Sequence, residues 1–244
     1  MRFNGKDLRD VHGRLSINKE IQPGTARREI EYVRGRAGAT VAGVRYEPDE
    51  YKARINIACT SRSEAWDVRA MLAGWAASSG ESVAALEPTN WPGKAYDAIL
   101  SSIGAPEFVH GFATVDVVFA VPYPFARDTA VSRAGGAQEM TMRVGGTHAC
   151  RPAISQTISN GRIGLTWTID GKPLLKIKDW RALDDGQIVV MDFANESLTI
   201  DGVHAEETID WSGTNWDAAF TPGAHVIKSV NGGTLEAEWH NEWT

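Results

Sequence analysis

The sequence lacks any long apolar run, because no stretch of the 244 residues approaches the roughly 18 that a membrane-spanning helix needs. No apolar segment follows the basic residues of the first ten positions, so we expect no secretory signal. Only two cysteines occur, Cys59 and Cys150, and their positions in different predicted domains argue against a disulfide framework. We therefore expect a soluble protein made in a reducing compartment, with both thiols idle.

Well-specified enzyme motifs are absent as well. The sequence contains no G-x-S-x-G elbow, no H-E-x-x-H, no phosphate-binding G-x-x-x-x-G-K-[ST] and no G-x-G-x-x-G between strand and helix. Acidic residues cluster at 184–185 and at 206–210, where two carboxylates could form a glycosidase pair. An acidic turn and a solvated strand end are the simpler interpretation. We expect no enzymatic activity and no catalytic residues.

Histidines give little sign of a metal centre or a cofactor. His148 and Cys150 form an H-x-C pair, but no second pair stands at ligand spacing, and a structural zinc ion needs four ligands. His110 is better interpreted as a hydrogen-bonded histidine at a strand edge than as a general base. We therefore expect no metal and no cofactor.

Charge is distributed unevenly along the chain. Residues 1–127 carry 16 basic and 15 acidic side chains, whereas residues 128–244 carry 9 and 16, which accounts for the net charge of −6. Neither half has a basic stripe interleaved with aromatic residues, so we expect no sequence-reading contact with nucleic acid. The two halves differ in surface chemistry.

The first half is predicted to be β-rich with one helix. Alternating or β-branched runs between turn signals predict strands at Leu15–Ile21, Arg27–Val33, Val41–Tyr46, Tyr51–Thr60, Ser82–Leu86, Tyr96–Ile103 and 111–123. Ser61 and Glu64 form a capping box ahead of apolar residues at helical spacing, which predicts a helix over about 62–79 with Gly80 just past its end. The prolines after this stretch place a domain boundary near Arg127.

The second half, residues 128–244, is predicted to be a β-sandwich. Asp170-Gly171 and Asp201-Gly202 stand between apolar runs and predict tight hairpins within a meander. Asn231-Gly232-Gly233 predicts a last hairpin that closes the chain. Turn signals every eight to twelve residues are typical of a sandwich.

Tryptophan is abundant, with nine in the chain, and its aromatic faces suit either a sugar site or a core. Trp167 and Trp239 alternate with polar neighbours on predicted strands, which favours the core. Trp211 and Trp216 flank a loop and are the candidates for stacking on a sugar, beside polar side chains such as Asn215, Asp217 or His225. The pattern leaves their orientation open. Phe220, in the Phe-x-Pro-Gly turn, is expected to be buried.

The order of these motifs resembles that of distal tail proteins (Dit) of long-tailed siphophages. The matching features are FNGKDL near the start, the arginine-bearing strand RREIEYVRGR, the helix ending in MLAGWAASSG, the strand ending in PYPFA, and the later F-x-P-G turn before an aromatic-rich end. The likeness covers nearly the whole chain. Ala224-His225 replaces an asparagine that often follows the Pro-Gly pair in the family.

The resemblance implies a structural role in the virion and not an enzyme. It implies a mainly β fold: residues 1–127 form a hexameric ring through a β-belt, and residues 128–244 form a galectin-like sandwich. The implied partners are other copies of the chain, the tail tube protein and the tail-tip or tail-associated lysin protein, with no membrane contact and DNA only passing through the channel. Assembly is expected in the host cytoplasm.

Within that expectation, the belt strand supplies the candidate residues for the contact between subunits: Arg28, Ile30, Tyr32 and Arg34. The alternative function from a different class is a carbohydrate-binding adhesion module that contacts host cell-wall saccharide. This short chain has no room for the inserted module that larger relatives use for that purpose.

Overall fold

The computed structural model describes residues 1–24, 27–31, 40–109, 111–230 and 232–244, with the backbone alone for 27–31 and 40–45. The chain divides into two compact units, Met1–Arg127 with Thr244, and Asp128–Trp243. No helix in these described ranges is long and apolar enough to cross a membrane.

The first unit is built on an antiparallel sheet. Its strands are β1 (Arg2–Phe3), β2 (Lys6–Asp7), β3 (Leu15–Ile21), β4 (Arg27–Glu31), β5 (Thr40–Arg45), β6 (Asp49–Ala58), β7 (Ala84–Glu87), β8 (Lys94–Ile103), β9 (Glu107–Val109), β10 (Phe112–Val121) and β11 (Ala126–Asp128), which reaches the boundary between the units. The main sheet runs in the order β2-β1-β7-β8-β10-β6-β3, and β9 pairs with β10. In a separate two-stranded sheet, β4 pairs with β5.

Alternation of side chains explains why these segments are strands. Along β6, Tyr51, Ala53, Ile55 and Ile57 are buried while the residues between them face outward, as a period of two requires. The predicted strand Leu15–Ile21 is confirmed residue for residue as β3. The other predicted strands are present with ends shifted by a few residues, and the prediction at 32–33 lies outside the described residues.

Two helices accompany this sheet, α1 (Leu8–Val11) and α2 (Arg62–Ala76). Ser61 is the N-cap of α2, since its hydroxyl accepts a hydrogen bond from the Glu64 amide at 3.2 Å. The Glu64 carboxylate accepts from the backbone of Thr60 at 2.6 Å, which lowers the pKa of Glu64. The N-terminal cap predicted for this helix is confirmed.

The predicted end of α2 at residue 79 is wrong, because the helix ends at Ala76. The Ser78 amide donates to the Trp75 carbonyl, so the chain tightens into a turn before Gly80 is reached. Gly80 adopts φ +63° in that following turn, where a left-handed conformation still favours glycine.

Helix α2 covers one face of the main sheet with apolar side chains. Trp75 lies edge-on to Phe3 and Phe119, with centroid distances of 6.0 and 6.2 Å, and its indole nitrogen donates to the Lys6 carbonyl at 3.1 Å. Each such aromatic pair contributes about 0.5–1.5 kcal/mol beyond area burial. The buried tryptophan therefore ties the helix to the short strands β1 and β2 and to the long strand β10.

The second unit is a β-sandwich around one apolar core. Its strands are β12 (Ser132–Gly136), β13 (Glu139–Val144), β14 (Ala153–Thr157), β15 (Arg162–Ile169), β16 (Lys172–Leu183), β17 (Ile188–Asp192), β18 (Ser197–Ile200), β19 (Val203–His204), β20 (Gly223–Ser229), β21 (Thr234–Trp239) and β22 (Glu242–Trp243). Six strands form one sheet in the order β12-β21-β14-β17-β18-β19, and four form the other in the order β13-β20-β15-β16. Trp167 and Trp239 are buried in the core between them, as predicted.

Two of the predicted hairpins are confirmed. Asp170 and Gly171, with φ of +49° and +79°, connect β15 to β16, and Asp201 and Gly202, with φ of +51° and +77°, connect β18 to β19. Positive φ at both central residues is the type I′ turn, whose twist matches that of the paired strands.

The predicted last hairpin at residues 231–233 is wrong. Strand β20 pairs with β13 and β15 in the four-stranded sheet, whereas β21 pairs with β12 and β14 in the six-stranded sheet. The segment between them therefore crosses from one sheet to the other instead of turning back. Asn231 lies outside the described residues, and Gly232 and Gly233 adopt φ of +72° and +117°.

A buried glutamine stabilises this crossover. Gln156 is fully buried on β14, where its side-chain oxygen accepts from the indole nitrogen of Trp167 and its amide donates to the Gly232 carbonyl. Both polar ends of the amide are satisfied, so its burial does not leave a costly unpaired group. Gly232 is thus fixed to the core by a residue remote in the sequence.

Candidate assembly and ligand-binding surfaces

Two of the candidate belt residues, Arg28 and Ile30, lie on β4, which is in a sheet separate from the main one. In the backbone register Arg28 pairs with Val44 and Ile30 with Val41 of β5, with a register shift between Glu29 and Ile30. Tyr32 and Arg34 lie outside the described residues. Among the described strands, β4 and β5 pair only with each other. An isolated two-stranded hairpin is marginally stable in water, so an arm of this kind gains from pairing or packing with a partner.

A second candidate assembly surface is the free edge of the main sheet. Within the described part of the chain, β3 pairs with β6 on one side only. Its exposed side chains include Lys19 and Ile21, the latter 46% accessible. The unpaired amides and carbonyls of an edge strand are a template for pairing with another strand, and a lysine on the edge discourages indiscriminate pairing.

The outer face of α2 is a third surface, which sequence reasoning missed. Trp66 and Met71 are about half exposed on this helix, one on each flank of its buried stripe. The Arg69 guanidinium lies 5.4 Å from the centroid of Trp66 and donates to the carbonyls of Gly104 and Ile103 at 2.8 and 3.0 Å. Two fixed carbonyls therefore hold the arginine, and the arginine restrains the tryptophan.

The composition of this helix face is that of an interface. Trp, Met and Arg are enriched in protein–protein contacts, and a tryptophan restrained before binding loses little entropy on binding. The signal was present in the sequence, because positions 66 and 71 fall outside the stripe formed by the buried 65, 68 and 72. Large apolar residues outside the buried stripe of a helix are candidates for a contact.

The two sugar-stacking candidates point in different directions. Trp216 is half-buried against the sandwich core and meets Phe193 edge-on at 5.8 Å. Trp211 is 62% exposed at the start of a 3₁₀ turn, Trp211–Gly213. Phe220 is fully buried beside Phe193, as predicted. Of the pair, only Trp211 offers an open aromatic face.

Two of the polar side chains expected beside a sugar are engaged in hydrogen bonds within the chain. His225 is buried, with Nδ1 at 2.9 Å from the Asp170 carboxylate and Nε2 at 2.7 Å from the Thr221 carbonyl. Asn215 accepts from the Asp217 amide at 3.1 Å. The His225 contacts connect the Pro-Gly segment to the hairpin at Asp170.

The acidic clusters are engaged in local hydrogen bonds. Asp210 caps the 3₁₀ turn by accepting from the Ser212 amide at 3.1 Å. It also accepts from the Ser212 hydroxyl at 2.6 Å and pairs with Lys176 at 2.9 Å, and these partners lower the pKa of Asp210 to about 2. A hydrogen bond with His204 at 2.8 Å lowers the pKa of Glu206. A general acid needs a raised pKa, which is the opposite of what these carboxyls have.

At the other acidic cluster, Asp185 accepts from the Asn160 amide at 2.7 Å and Asp184 donates its amide to Gln187, so both belong to a turn.

Across the described ranges, no three His, Cys, Asp or Glu side chains come together as metal ligands. Burial and the nearby Arg151 lower the pKa of His148. His110 lies outside the described residues.

Both cysteines are buried and free. Burial raises the pKa of Cys59, and burial together with the neighbouring Glu242 raises the pKa of Cys150 to about 12. Thiols in this state are protonated and unreactive at neutral pH.

Comparison with known proteins identifies the architecture. No protein-family model and no curated protein sequence matches the chain. Solved structures do match, and the ones with this fold are phage tail hub and baseplate proteins, which confirms the predicted mainly β fold.

The Dit protein of phage SPP1 is similar over 100% of this chain and 98% of that one, with a TM-score of 0.81 at 12% identity. It is described as a paradigm of the hub adsorption apparatus in phages that infect Gram-positive bacteria. A chain of the phage P2 baseplate in its activated conformation with Ca is similar over 94% of this chain and 91% of that one, with a TM-score of 0.52 at 7% identity. The same baseplate with Sr gives a TM-score of 0.51 at 8% identity, over the same shares of the two chains. The resemblance to distal tail proteins is thus confirmed for the fold.

Proposed function

We propose that this protein is a structural subunit of the hub at the distal end of a long non-contractile phage tail. The observation that most supports this proposal is the likeness to the Dit fold over the whole chain, at a TM-score of 0.81. In this proposal six copies form a ring, the ring joins the tail tube protein to the tail-tip or tail-associated lysin protein, and DNA passes through its channel.

The surfaces of the first unit support assembly into a ring. A ring is built from head-to-tail contacts, in which two different patches of each subunit meet. The free edge of β3 and the self-paired arm of β4 and β5 are two such patches, and the Trp66 face of α2 is a third. Pairing between strands of neighbouring subunits would satisfy the backbone groups that the edge leaves open.

The charge distribution also fits this arrangement. Residues 1–127 are nearly neutral, with 16 basic and 15 acidic side chains, which suits packed contacts between identical subunits. Residues 128–244 carry 9 and 16, so an outward-facing sandwich would keep the assembly soluble through like-charge repulsion. We propose that the first unit forms the ring and that the sandwich, galectin-like in this family, lies outside it.

Light scattering during size-exclusion chromatography tests the ring. Each chain has a mass of 26.6 kDa, so a hexamer is expected at about 160 kDa. Trp66→Glu places a charge on the α2 face and is expected to shift the distribution towards the monomer. Trp211→Glu changes an equally exposed tryptophan of the second unit and serves as the control. A strict monomer at every concentration, even with tube and tip proteins present, would refute the ring.

The alternative, an adhesion module that contacts host saccharide through the sandwich, has one observation in its favour: the open aromatic face of Trp211. A binding site also needs convergent polar groups, and those near this turn hydrogen-bond within the chain. Binding to purified host cell walls that disappears in Trp211→Ala would favour this alternative. Equal binding by both proteins would exclude the role of Trp211.

A further inference from the structure

The first unit contains a pocket that none of the assembly surfaces described above uses. It has a volume of about 430 Å³, within the range of small-molecule sites. Its main lining residues are Gln22, Tyr46, Asn90, Trp91, Tyr96 and Phe125. Gln22 follows the edge strand β3 and Tyr46 follows β5, so the pocket lies where the two ends of the arm leave the main sheet.

Aromatic side chains form one wall of this pocket. Phe125 is buried and packs against Tyr46 at a centroid distance of 4.6 Å, and Tyr123 packs against Phe125 at 4.8 Å. Tyr46 remains 41% exposed, and Trp91 is half-buried. The wall is therefore a packed aromatic surface, and part of the Tyr46 and Trp91 side chains is accessible.

Side-chain amides form the polar part. The Gln22 amide nitrogen donates to the Asn90 side-chain oxygen at 3.1 Å, and the Tyr96 hydroxyl donates to the other end of Gln22 at 3.5 Å. The Glu20 carboxylate accepts from the backbone amides of Thr89 and Asn90, which fixes the loop that carries Asn90 and Trp91. Each amide keeps further donor and acceptor capacity for a ligand.

None of the described side chains that line the pocket is charged, although 23% of the residues in the chain are Asp, Glu, Lys or Arg. An anionic ligand would lose its hydration here without gaining a counter-charge from these side chains, which is costly. The chemistry on offer is stacking on aromatic faces together with hydrogen bonds to groups that both donate and accept.

We propose that this pocket binds a neutral saccharide unit, with its apolar C–H face on Tyr46 and Trp91 and its hydroxyls on Asn90 and Gln22. Sugar hydroxyls both donate and accept, which matches side-chain amides at both ends. A proline-rich peptide, the other ligand of aromatic grooves, offers mainly carbonyl acceptors and few donors, so it would use only the donor side of these amides. The site is separate from Trp211, and the proposal does not rest on assembly into a ring.

Saturation-transfer NMR on the full-length chain tests the proposal, with maltose, cellobiose, lactose and N,N′-diacetylchitobiose as neutral probes and glucuronic acid as the charged comparison. At least one neutral disaccharide is expected to bind, and glucuronic acid is not. Asn90→Ala removes an exposed amide, and loss of one hydrogen bond predicts affinity weaker by about tenfold. Trp91→Ala removes a stacking face and is expected to weaken binding at least as much.

The controls are Trp66→Ala and Trp211→Ala, which remove exposed tryptophans outside the pocket and are expected to leave affinity within about twofold. Failure of every neutral disaccharide to bind at about 10 mM would overturn the proposal, since that corresponds to less than about 3 kcal/mol of binding free energy. So would binding that survives both Asn90→Ala and Trp91→Ala, or binding lost in Trp211→Ala. A proline-rich decapeptide that binds with dependence on Trp91 while the sugars do not would assign the pocket to peptides instead.

Discussion

Replacing Gly233 by alanine tests whether residues 230–234 cross between the two sheets. Gly233 adopts φ +117°, a conformation that costs an alanine roughly 1–2 kcal/mol. The new Cβ would also meet the carbonyl oxygen of Thr157 at clashing distance and would lie 2.7 Å from the side-chain nitrogen of Gln156. Overpacking of this kind typically adds about 1–3 kcal/mol.

Gly202→Ala is the matched control. Gly202 also has a positive φ, +77°, but it lies in a two-residue hairpin turn, and an alanine Cβ at this position would have nothing within 4 Å. Its substitution therefore carries the conformational cost alone, about 1–2 kcal/mol. Gly233→Ala is expected to cost about 2–5 kcal/mol in total.

Urea unfolding followed by tryptophan fluorescence measures both costs. The second unit holds six of the nine tryptophans, and Trp167 contacts Gln156 directly, so the signal reports on the affected region. The midpoint should shift clearly further for Gly233→Ala than for Gly202→Ala, with an unchanged slope. Equal shifts would mean that residue 233 lies in an open hairpin turn, and the crossover described above would be wrong.

Three further predictions concern single side chains. Phe220→Ala should lower the free energy of unfolding by about 3–5 kcal/mol because Phe220 is fully buried. Trp211→Ala should change it by less than about 0.5 kcal/mol because Trp211 is exposed. Chemical denaturation of the two variants measures the difference. Asp210 has a folded pKa of about 2, below its unfolded value near 3.9, so its stabilising contribution is complete above about pH 4 and is lost as the pH falls towards 2. The Asp210→Asn variant should therefore show a flatter dependence of melting temperature on pH in that window. An unchanged profile would contradict the assigned pKa. Cys59 and Cys150 should react with a thiol reagent at about pH 8 only after unfolding, and rapid labelling of the native protein would contradict their burial.

Much of the fold could be predicted from local patterns in the sequence. Alternating burial along β6 and the capping residues Ser61 and Glu64 act within a few positions of the chain, so the sequence contains the whole cause. The same holds for Asp170-Gly171, where two residues with positive φ determine the hairpin. These predictions were confirmed because each depends on near neighbours.

The features that could not be predicted depend on residues far apart in the sequence. Asn-Gly-Gly suits a hairpin and a crossover equally well, and the choice is made by the pairing of β21 with β12 and β14 and by the buried Gln156. The aromatic pocket brings Gln22, Asn90 and Phe125 together only once the main sheet has formed. The different exposures of Trp211 and Trp216 follow likewise from the position of Phe193 on the facing surface of the core.

A hub subunit at the distal end of a phage tail should be found at one place in the virion. Immunogold electron microscopy of virions from the phage that encodes this chain measures that position. We expect label at the end of the tail away from the capsid, in phage with long non-contractile tails. Label along the tail shaft or on the capsid, or virions that carry none of the protein, would contradict the account.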